Sequence, residues 1–488
     1  MARRPLFVGR GMMTSLFPRW ALAVACVAII PAAWGSSDAV LWAPSLVALP
    51  VAVWLLGGRE AHPALIWVIG VNWLAIVGDL LFADLTGSSL SRGWAGPYQV
   101  EAIVFSLCAV LALALGMRWG TQLGGHVFRS PVRIDNSSLY GTEGDIGLQR
   151  AVIWYFIALP ITSIFGLVSR AVPAIAQPLY AMTLIKFVCV YLVAAKAFES
   201  GRGYAWVALV AVLEIVTGLT GYFANYKDAI IVMLIALAAS RGRMNARKVF
   251  FATAALVVVF WVSLVWTAVK MEYRAHVAWL PIEERLDWME QQFLFADIDY
   301  RDAFIKLSQR IGYTKFYARI MAVEPSVSRS DTFNFYAAAV QHVLTPRILF
   351  PDKASLSDSR ITTALLGVKI DSETSIGVGY VAQAHVDFGF PGLLIPILSI
   401  GVMLGAAVKY FMTRSAPLLV RHAFATATLF QAFAFAEDID KALGGFITGF
   451  IAMALTLKFA YPLVAPRPTV LQARRRAVSG SSIGNVSI

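Results

Sequence analysis

Long apolar stretches recur from the beginning of the chain to its end, and they restrict the fold more than any other feature. About 20 consecutive apolar residues are needed to cross a bilayer as a helix, because no water is present inside to replace broken backbone hydrogen bonds. Of the 488 residues, 58% are hydrophobic and only 14% are charged. The sequence therefore predicts an all-α polytopic membrane protein and excludes a soluble multidomain enzyme, a disordered chain and a disulfide scaffold.

The positions of these stretches predict about twelve transmembrane helices. They are expected at residues 18–35, 40–57, 62–83, 100–117, 151–169, 178–196, 203–220, 228–240, 249–269, 391–411, 418–436 and 441–460. The predicted organisation is an N-terminal segment (1–17), nine helices (18–269), one large loop (270–378), three helices (379–461) and a C-terminal tail (462–488).

The distribution of basic residues predicts the orientation of these helices. Lys and Arg accumulate on the cytoplasmic side of short loops. The short loops on one side of the predicted bundle contain only Arg92, Arg170, Lys227 and Lys441, whereas the segments on the other side are rich in Lys and Arg. Both termini are therefore predicted to be cytoplasmic and the large loop periplasmic. The net charge of +12 then reflects orientation against anionic lipid, and no nucleic-acid partner is expected.

The large loop is predicted to be folded, because it is rich in aromatic residues that a disordered linker would lack. Apolar and charged positions alternate at helical spacing in residues 283–295 and again in residues 299–322. This pattern predicts a helix lying on the membrane, followed by a second helix.

One segment of the loop presents two cations on a rigid backbone. Pro346 and Pro351 fix an extended conformation around Arg347, and Lys353 lies two residues after Pro351. An Arg fork and a Lys ammonium could hold a diphosphate, since both bind phosphate oxygens. A plain loop corner with two solvated cations is an equally good interpretation.

Beyond the loop, several glycines and Pro391 are expected to break the helix that enters the tenth span. Broken helices are tolerated in membranes only where the backbone is buried in protein or lines a wet cavity. His385 and Asp387 lie in this segment. Either side chain could accept a proton, although a hydrogen-bonded structural pair explains them as well.

Three charged residues fall inside predicted spans. Lys186 lies near the middle of the sixth span, and Glu214 and Asp79 lie in the outer halves of the seventh and third. Because charges in lipid are costly, all three should face the bundle interior, and Lys186 could pair with Glu214. Such a pair could serve a proton pathway, Lys186 could anchor a lipid phosphate, or the pair could be structural.

Taken together, these motifs resemble those of the O-antigen and exopolysaccharide polymerases of the Wzy type, and more distantly those of the O-antigen ligases. The resemblance covers roughly residues 200–440 and rests on a dozen spans with one large outer loop and on three motifs. These motifs are the Thr-Gly loop that ends at Lys227, the Pro-Arg-x-x-x-Pro-x-Lys segment (346–353) and the Gly-rich exit (377–392).

The resemblance implies a metal-independent glycosyltransferase with a GT-C-like fold in the bacterial inner membrane. Such enzymes join polyprenyl-diphosphate-linked oligosaccharide repeat units at the periplasmic face and need no cofactor. The resemblance also leaves room for a chain-length regulator and a flippase as partners. Carried onto this chain, Arg347 matches by motif, and Lys227 occupies a place where the family more often has Arg.

The chemistry of such a transfer assigns expected roles to the loop. A lipid diphosphate is already a good leaving group, so the enzyme needs cations to hold its charge and a base for the acceptor hydroxyl. We expect Arg347, Lys353 and Arg360 around the diphosphate, with Lys227 nearby. Glu373, His385 and Asp387 are the candidate bases.

Other functional classes remain open from the sequence. A transporter or flippase for lipid-linked sugars would place ionisable groups deep in several spans. A ligase-type transferase would differ from a polymerase only in its acceptor. A non-catalytic assembly subunit is a further alternative.

Overall fold

The computed structural model describes residues 38–58, 61–88, 90, 97–123, 146–219, 225–240, 245–323, 334–345, 350, 365–367 and 377–465. Within this part of the chain all regular structure is helical, as predicted. In these described residues seven helices are long and apolar enough to cross a membrane, which is compatible with a polytopic membrane protein. The first predicted span, 18–35, lies outside the described residues.

Within the described residues, nine α-helices precede the large loop. They are α1 (Ala39–Leu55), α2 (Pro63–Thr86), α3 (Gln99–Gln122), α4 (Leu148–Ala171), α5 (Ala176–Met182), α6 (Leu184–Ser200), α7 (Tyr204–Leu219), α8 (Tyr226–Ala239) and α9 (Ala246–Glu272). The predicted sixth span therefore forms two consecutive helices, α5 and α6, that meet at Thr183.

The described parts of the loop and of the C-terminal bundle also contain helices. The loop contains α10 (Ile282–Leu294), α11 (Tyr300–Ile311), α12 (Thr314–Val323) and α13 (Phe335–Leu344), and the bundle continues with α14 (Tyr380–Phe388), α15 (Leu394–Met412), α16 (Leu418–Leu429), α17 (Ile439–Leu455) and α18 (Tyr461–Val464). We call the side of the bundle covered by α10–α13 the loop face.

Exposed apolar side chains on α4 and α9 explain why this bundle requires a bilayer. On α4, Ile153, Ile157, Ile164 and Leu167 are each more than half exposed and lie on one side of the helix. A soluble monomer rarely exposes a continuous row of large apolar side chains such as this one. Lipid contact accounts for this surface, while residues on the opposite side of α4, such as Tyr155, are buried.

Two glycine pairs bring α3 and α15 into backbone contact. Gly116 and Gly120 lie four residues apart on α3, and Gly401 and Gly405 lie four apart on α15. A Cβ atom at any of these four positions would collide with a backbone carbonyl of the facing helix. Small residues at this spacing allow close helix packing inside membranes, where no hydrophobic effect drives association.

The loop helices are fastened to the bundle by two carboxylates. Asp79 of α2 accepts hydrogen bonds from the Thr314 hydroxyl (2.7 Å) and the Lys315 backbone N–H (3.2 Å) at the start of α12. Asp387 of α14 accepts bonds from the backbone N–H groups of Phe335 (3.1 Å) and Tyr336 (2.8 Å) at the start of α13. Each carboxylate caps a helix N-terminus and stabilises it there.

The single helix predicted over 299–322 is wrong, because the chain is interrupted between α11 and α12. The Tyr313 backbone N–H donates to the Ala75 carbonyl of α2 at 3.0 Å instead of to its own helix. Gly312 lies so close to Asp79 that a Cβ atom would collide with the carboxylate. Contact with α2 therefore replaces one turn of the predicted helix.

The predicted span 418–436 is also shorter than expected. Helix α16 ends at Leu429, and α17 begins only at Ile439. The backbone between them bends, and Phe433 has a φ of 53°, which L-residues rarely adopt. Residues 430–438 therefore form a break rather than the last turns of a span.

Candidate functional site

Two breaks in the helices face each other at the loop face. One is residues 377–379, which precede α14, and the other is residues 430–438; together we call them the paired breaks. The Tyr380 N–H donates to the Glu437 carbonyl at 2.7 Å. Asp438 Oδ1 accepts the N–H groups of Val378 (2.8 Å) and Gly379 (3.2 Å). One carboxylate oxygen therefore holds the two backbones together.

Glycine is required at the contact between the breaks. A Cβ atom on Gly377 would lie 2.8 Å from the Ala436 carbonyl, and one on Gly379 would collide with the Phe435 carbonyl. Gly379 also has a φ of 93°, a conformation that only glycine adopts at low cost. The glycine-rich sequence that predicted a broken helix here thus serves a close backbone approach.

Side chains from α2 and the loop satisfy the carbonyl groups that the breaks release. Asn72 Nδ2 donates to the Phe433 carbonyl at 3.0 Å, and Asn72 Oδ1 accepts the Tyr380 hydroxyl at 2.8 Å. Trp67 Nε1 donates to the Phe430 carbonyl at 2.9 Å. The Tyr313 hydroxyl donates to the Gly377 carbonyl at 2.5 Å. The paired breaks are therefore a built feature, since each of these polar groups has a partner.

Glu437 brings an ionisable carboxyl group into the paired breaks. Its side chain is only partly exposed. Burial raises the pKa of Glu437 to about 7, the charge of Lys441 and a backbone hydrogen bond with Ala434 oppose that shift, and the charge of Asp438 adds to it. A carboxyl group that titrates near neutral pH is suited to proton transfer.

Sequence reasoning missed Glu437, although one signal was available. The predicted span ends at residue 436, which places Glu437 in the short loop before the next span. Glu437, Asp438 and Asp440 form an acidic run directly after a continuous apolar stretch. Such a run at a membrane boundary could have indicated a polar site.

A group of cations lies at the loop-face ends of α9 and α11. Lys270 is within electrostatic range of Arg274 and Arg310. The charge of Arg310 also interacts electrostatically with the Tyr226 hydroxyl group, at the start of α8. The exposed Lys227 follows Tyr226 directly. We call Lys270, Arg274 and Arg310 the cation cluster, and like charges brought together in this way favour binding of an anion.

The cation cluster and the paired breaks are connected through α8. Gln431, near the beginning of residues 430–438, donates from Nε2 to Asp228 Oδ2 at 2.6 Å. Asp228 is the neighbour of Lys227 in the first turn of α8. The first turn of α8 therefore binds residues 430–438 through Asp228 and lies within electrostatic range of Arg310 through Tyr226.

His385 and Asp387, both predicted as candidate bases, lie on α14 beside the paired breaks. His385 is buried, its Nδ1 lies 2.9 Å from the Tyr317 hydroxyl, and its ring stacks on Phe105. Both oxygens of Asp387 accept backbone bonds of α13. Burial raises the pKa of Asp387, and the bonds from Tyr336 and Phe335 oppose that shift. The geometry of Asp387 is that of a helix cap.

Arg347, Lys353, Arg360 and Glu373 lie outside the described residues. Lys227, the remaining predicted diphosphate ligand, is described and exposed at the start of α8.

The predicted pair of Lys186 and Glu214 is confirmed. Lys186 Nζ lies 2.8 Å from Glu214 Oε2, and the Tyr155 hydroxyl donates to Glu214 Oε1 at 2.8 Å. The pair connects α6, α7 and α4 in the bundle interior. Asp79 also faces the interior, but its partners belong to the loop.

An open apolar groove of about 540 Å³ lies along α13. Its lining residues are Tyr336, Ala337, Val340, Gln341, Leu344 and Thr345. The described residues contain no group of three or more His, Cys, Asp or Glu side chains that could hold a metal ion.

Comparisons with protein-family models, with curated proteins and with solved structures found no match.

Proposed function

We propose that this chain is a glycosyltransferase of the polysaccharide-polymerase type. It joins oligosaccharide repeat units carried on polyprenyl diphosphate at the periplasmic face of the bacterial inner membrane. In this proposal the chain has about twelve spans in a GT-C-like arrangement, both termini are cytoplasmic, and the loop face is periplasmic.

The cation cluster is the observation that carries this proposal. A diphosphate leaving group develops negative charge as its bond to the sugar breaks, and fixed cations stabilise that charge. Lys270 and Arg274, at the end of α9 and just after it, lie within electrostatic range of Arg310 on α11, so cations from two separate parts of the chain meet at one end of the bundle. The apolar groove on α13 and the lipid-facing helices add apolar surface for a prenyl chain.

The first test is deletion of the gene in its host, followed by analysis of surface polysaccharide on gels and of polyprenyl-linked intermediates by mass spectrometry. A polymerase predicts that long chains vanish while single repeat units persist on the exported lipid. Long chains that remain on polyprenyl lipid would indicate a ligase. Unchanged polysaccharide would refute a role in this pathway.

A second test addresses the cation cluster directly. Arg310→Gln should lower chain extension by about 100-fold at unchanged protein abundance, because it removes a cation from the diphosphate. Lys306→Gln is the matched control, since Lys306 lies one turn earlier on α11 and pairs with Asp302 at 2.6 Å on the exposed surface. Equal effects of both substitutions would exclude the cluster as the diphosphate site.

A transporter for lipid-linked sugars is the second candidate function. The observation that favours it is the set of interior polar groups formed by Lys186, Glu214 and Tyr155, because such groups often mark ion or substrate pathways. In the deletion strain a transporter predicts repeat units that accumulate on the cytoplasmic leaflet. Accessibility of the lipid-linked sugar to an externally added glycosidase distinguishes the two leaflets.

A further inference from the structure

We propose that His62 and His422 form a pH switch, which stabilises the contact between α2 and α16 while both rings are neutral and weakens it when either ring binds a proton. We call these two residues the histidine pair. The switch goes beyond the proposed function and does not depend on it. The supporting features are the hydrogen bonds of the two rings, the parallel course of the two helices and the charges at this end of the bundle.

The histidine pair connects the beginnings of two helices. His62 directly precedes α2 and is buried, whereas His422 lies in the first turns of α16 and is partly exposed. The His62 Nε2 atom lies 2.8 Å from the His422 Nδ1 atom, and the ring centroids are 4.7 Å apart. Asp79, which binds the loop, lies about 25 Å further along α2. The histidine pair is therefore at the end of the bundle away from the loop face.

Hydrogen bonds determine which nitrogen atom of each neutral ring carries the proton. His62 Nδ1 accepts the Ala64 N–H at 3.2 Å, so the proton of this ring lies on Nε2. Nε2 then donates to His422 Nδ1, which must be unprotonated. A second proton on either ring places an N–H group on Nδ1, where it faces another donor. Protonation of either histidine therefore breaks a hydrogen bond, and the arrangement is stable only while both rings are neutral.

Helices α2 and α16 run parallel from the histidine pair to the paired breaks. Trp67 Nε1 donates to the Phe430 carbonyl at 2.9 Å, and Asn72 Nδ2 donates to the Phe433 carbonyl at 3.0 Å. The bonds follow one another in the same order along both helices. Asn72 lies about 15 Å from the histidine pair along α2. A change in the contact at the beginning of α2 and α16 is therefore expected to reach residues 430–438.

The charged groups around the histidine pair are mostly basic. His422 is the titratable group that acts on His62. At this end of the helices that pack against α2 and α16, the described charged residues are Arg118, Lys196, Glu199, Lys409, Arg414, Arg421 and Lys458. The acid in this set, Glu199, lies 3.5 Å from Lys196. Positive surroundings disfavour a further positive charge on an imidazole, so they support the neutral form of both rings.

The switch is expected to be closed at neutral pH and to open in mild acid. An unperturbed imidazole titrates at a pH of about 6.5. The closed arrangement excludes a proton that a released ring takes up. The contact is therefore fully stable above this pH, and one pH unit below it the closing equilibrium is weaker by about 10-fold. In the proposed topology this end of the bundle is cytoplasmic, so the switch would respond to acidification of the cytoplasm.

Two asparagine variants hold the switch in opposite states. In His422→Asn, the amide oxygen replaces Nδ1 as an acceptor that cannot be protonated, so the contact should stay closed in acid. In His62→Asn, the amide oxygen can still cap the Ala64 N–H, since Asn is a favoured N-cap residue. The donor to His422 is lost, however, so the contact should be open at every pH. His276→Asn, at an exposed histidine of the loop, is the matched control and should resemble wild type.

Hydrogen exchange followed by mass spectrometry in lipid nanodiscs measures the opening. The proteins are compared at about pH 7.5 and about pH 5.5, one unit above and one unit below the ordinary imidazole pKa. At the higher pH, peptides from residues 418–422 and 430–438 should exchange equally in wild type and His422→Asn, and about 10-fold faster in His62→Asn. At the lower pH, wild type should exchange about 10-fold faster than His422→Asn and should approach His62→Asn.

The outcomes separate the parts of the proposal. Equal exchange in wild type and His422→Asn at the lower pH would refute the switch and assign any acid response to another histidine, such as His385. A response at residues 418–422 that is absent from residues 430–438 would exclude the connection to the paired breaks. If His62→Asn does not fold, the comparison of wild type with His422→Asn still decides. These measurements need no enzymatic activity, so failure of the proposed function would leave their result unchanged.

Discussion

Asp79 fastens the large loop to the bundle, and its replacement should release α12. In Asp79→Ala, the Thr314 hydroxyl and the Lys315 N–H lose their buried acceptor at 2.7 and 3.2 Å. Hydrogen bonds to a charged group contribute about 1.5–3 kcal/mol each, and the longer bond lies at the weak end. We therefore expect α12 to open more easily by about 3 kcal/mol, which corresponds to roughly a 100-fold loss of protection.

Hydrogen exchange followed by mass spectrometry on the protein in lipid nanodiscs measures this directly. Peptides from Thr314–Val323 should exchange about 100-fold faster in Asp79→Ala than in wild type. Peptides from Phe335–Leu344 should be unchanged, because Asp387 caps that helix. Asp79→Asn keeps one acceptor and should show a smaller effect. Unchanged exchange over α12 in Asp79→Ala would refute the anchoring argument.

Three further predictions concern the loop, the bundle frame and the interior ion pair. Asp387→Ala should increase exchange over α13 and leave α12 protected, the reverse of the pattern above. Gly401→Leu should lower the yield of folded protein in detergent, because overpacking costs about 1–3 kcal/mol, whereas Gly166→Leu should not, since no atom lies within 4 Å of its Cβ position. Lys186→Met should lower the temperature of thermal aggregation by leaving Glu214 buried without its cation, and adding Glu214→Gln should restore part of the loss.

Apolar length was sufficient to predict most of the bundle. Helices such as α2, α9 and α15 lie within a few residues of their predicted bounds, since a span needs about 20 apolar residues and little else. The pair of Lys186 and Glu214 was also predictable, because a charge in the bundle interior needs a partner.

The candidate site was much less predictable, because it depends on contacts between distant segments. The mostly apolar run from Phe430 to Ala436 reads as the end of a span, and only the bonds of Glu437 and Asp438 to the backbone of Val378–Tyr380 show that it is a break. The cation cluster joins residues from α9 and α11, and no spacing rule connects Lys270 with Arg310. Sequence patterns report local periodicity, whereas these groups meet through tertiary folding.

The backbone contact between α3 and α15 has a mechanical consequence. No side chain separates the two helices at Gly116, Gly120, Gly401 and Gly405. The helices therefore resist sliding and rolling past one another and should move together as a rigid pair of helices. Phe105 of α3 stacks on Phe390, which leads into α15, at a centroid distance of 4.0 Å. Any opening of the loop face must therefore come from the other helices turning about this rigid pair of helices.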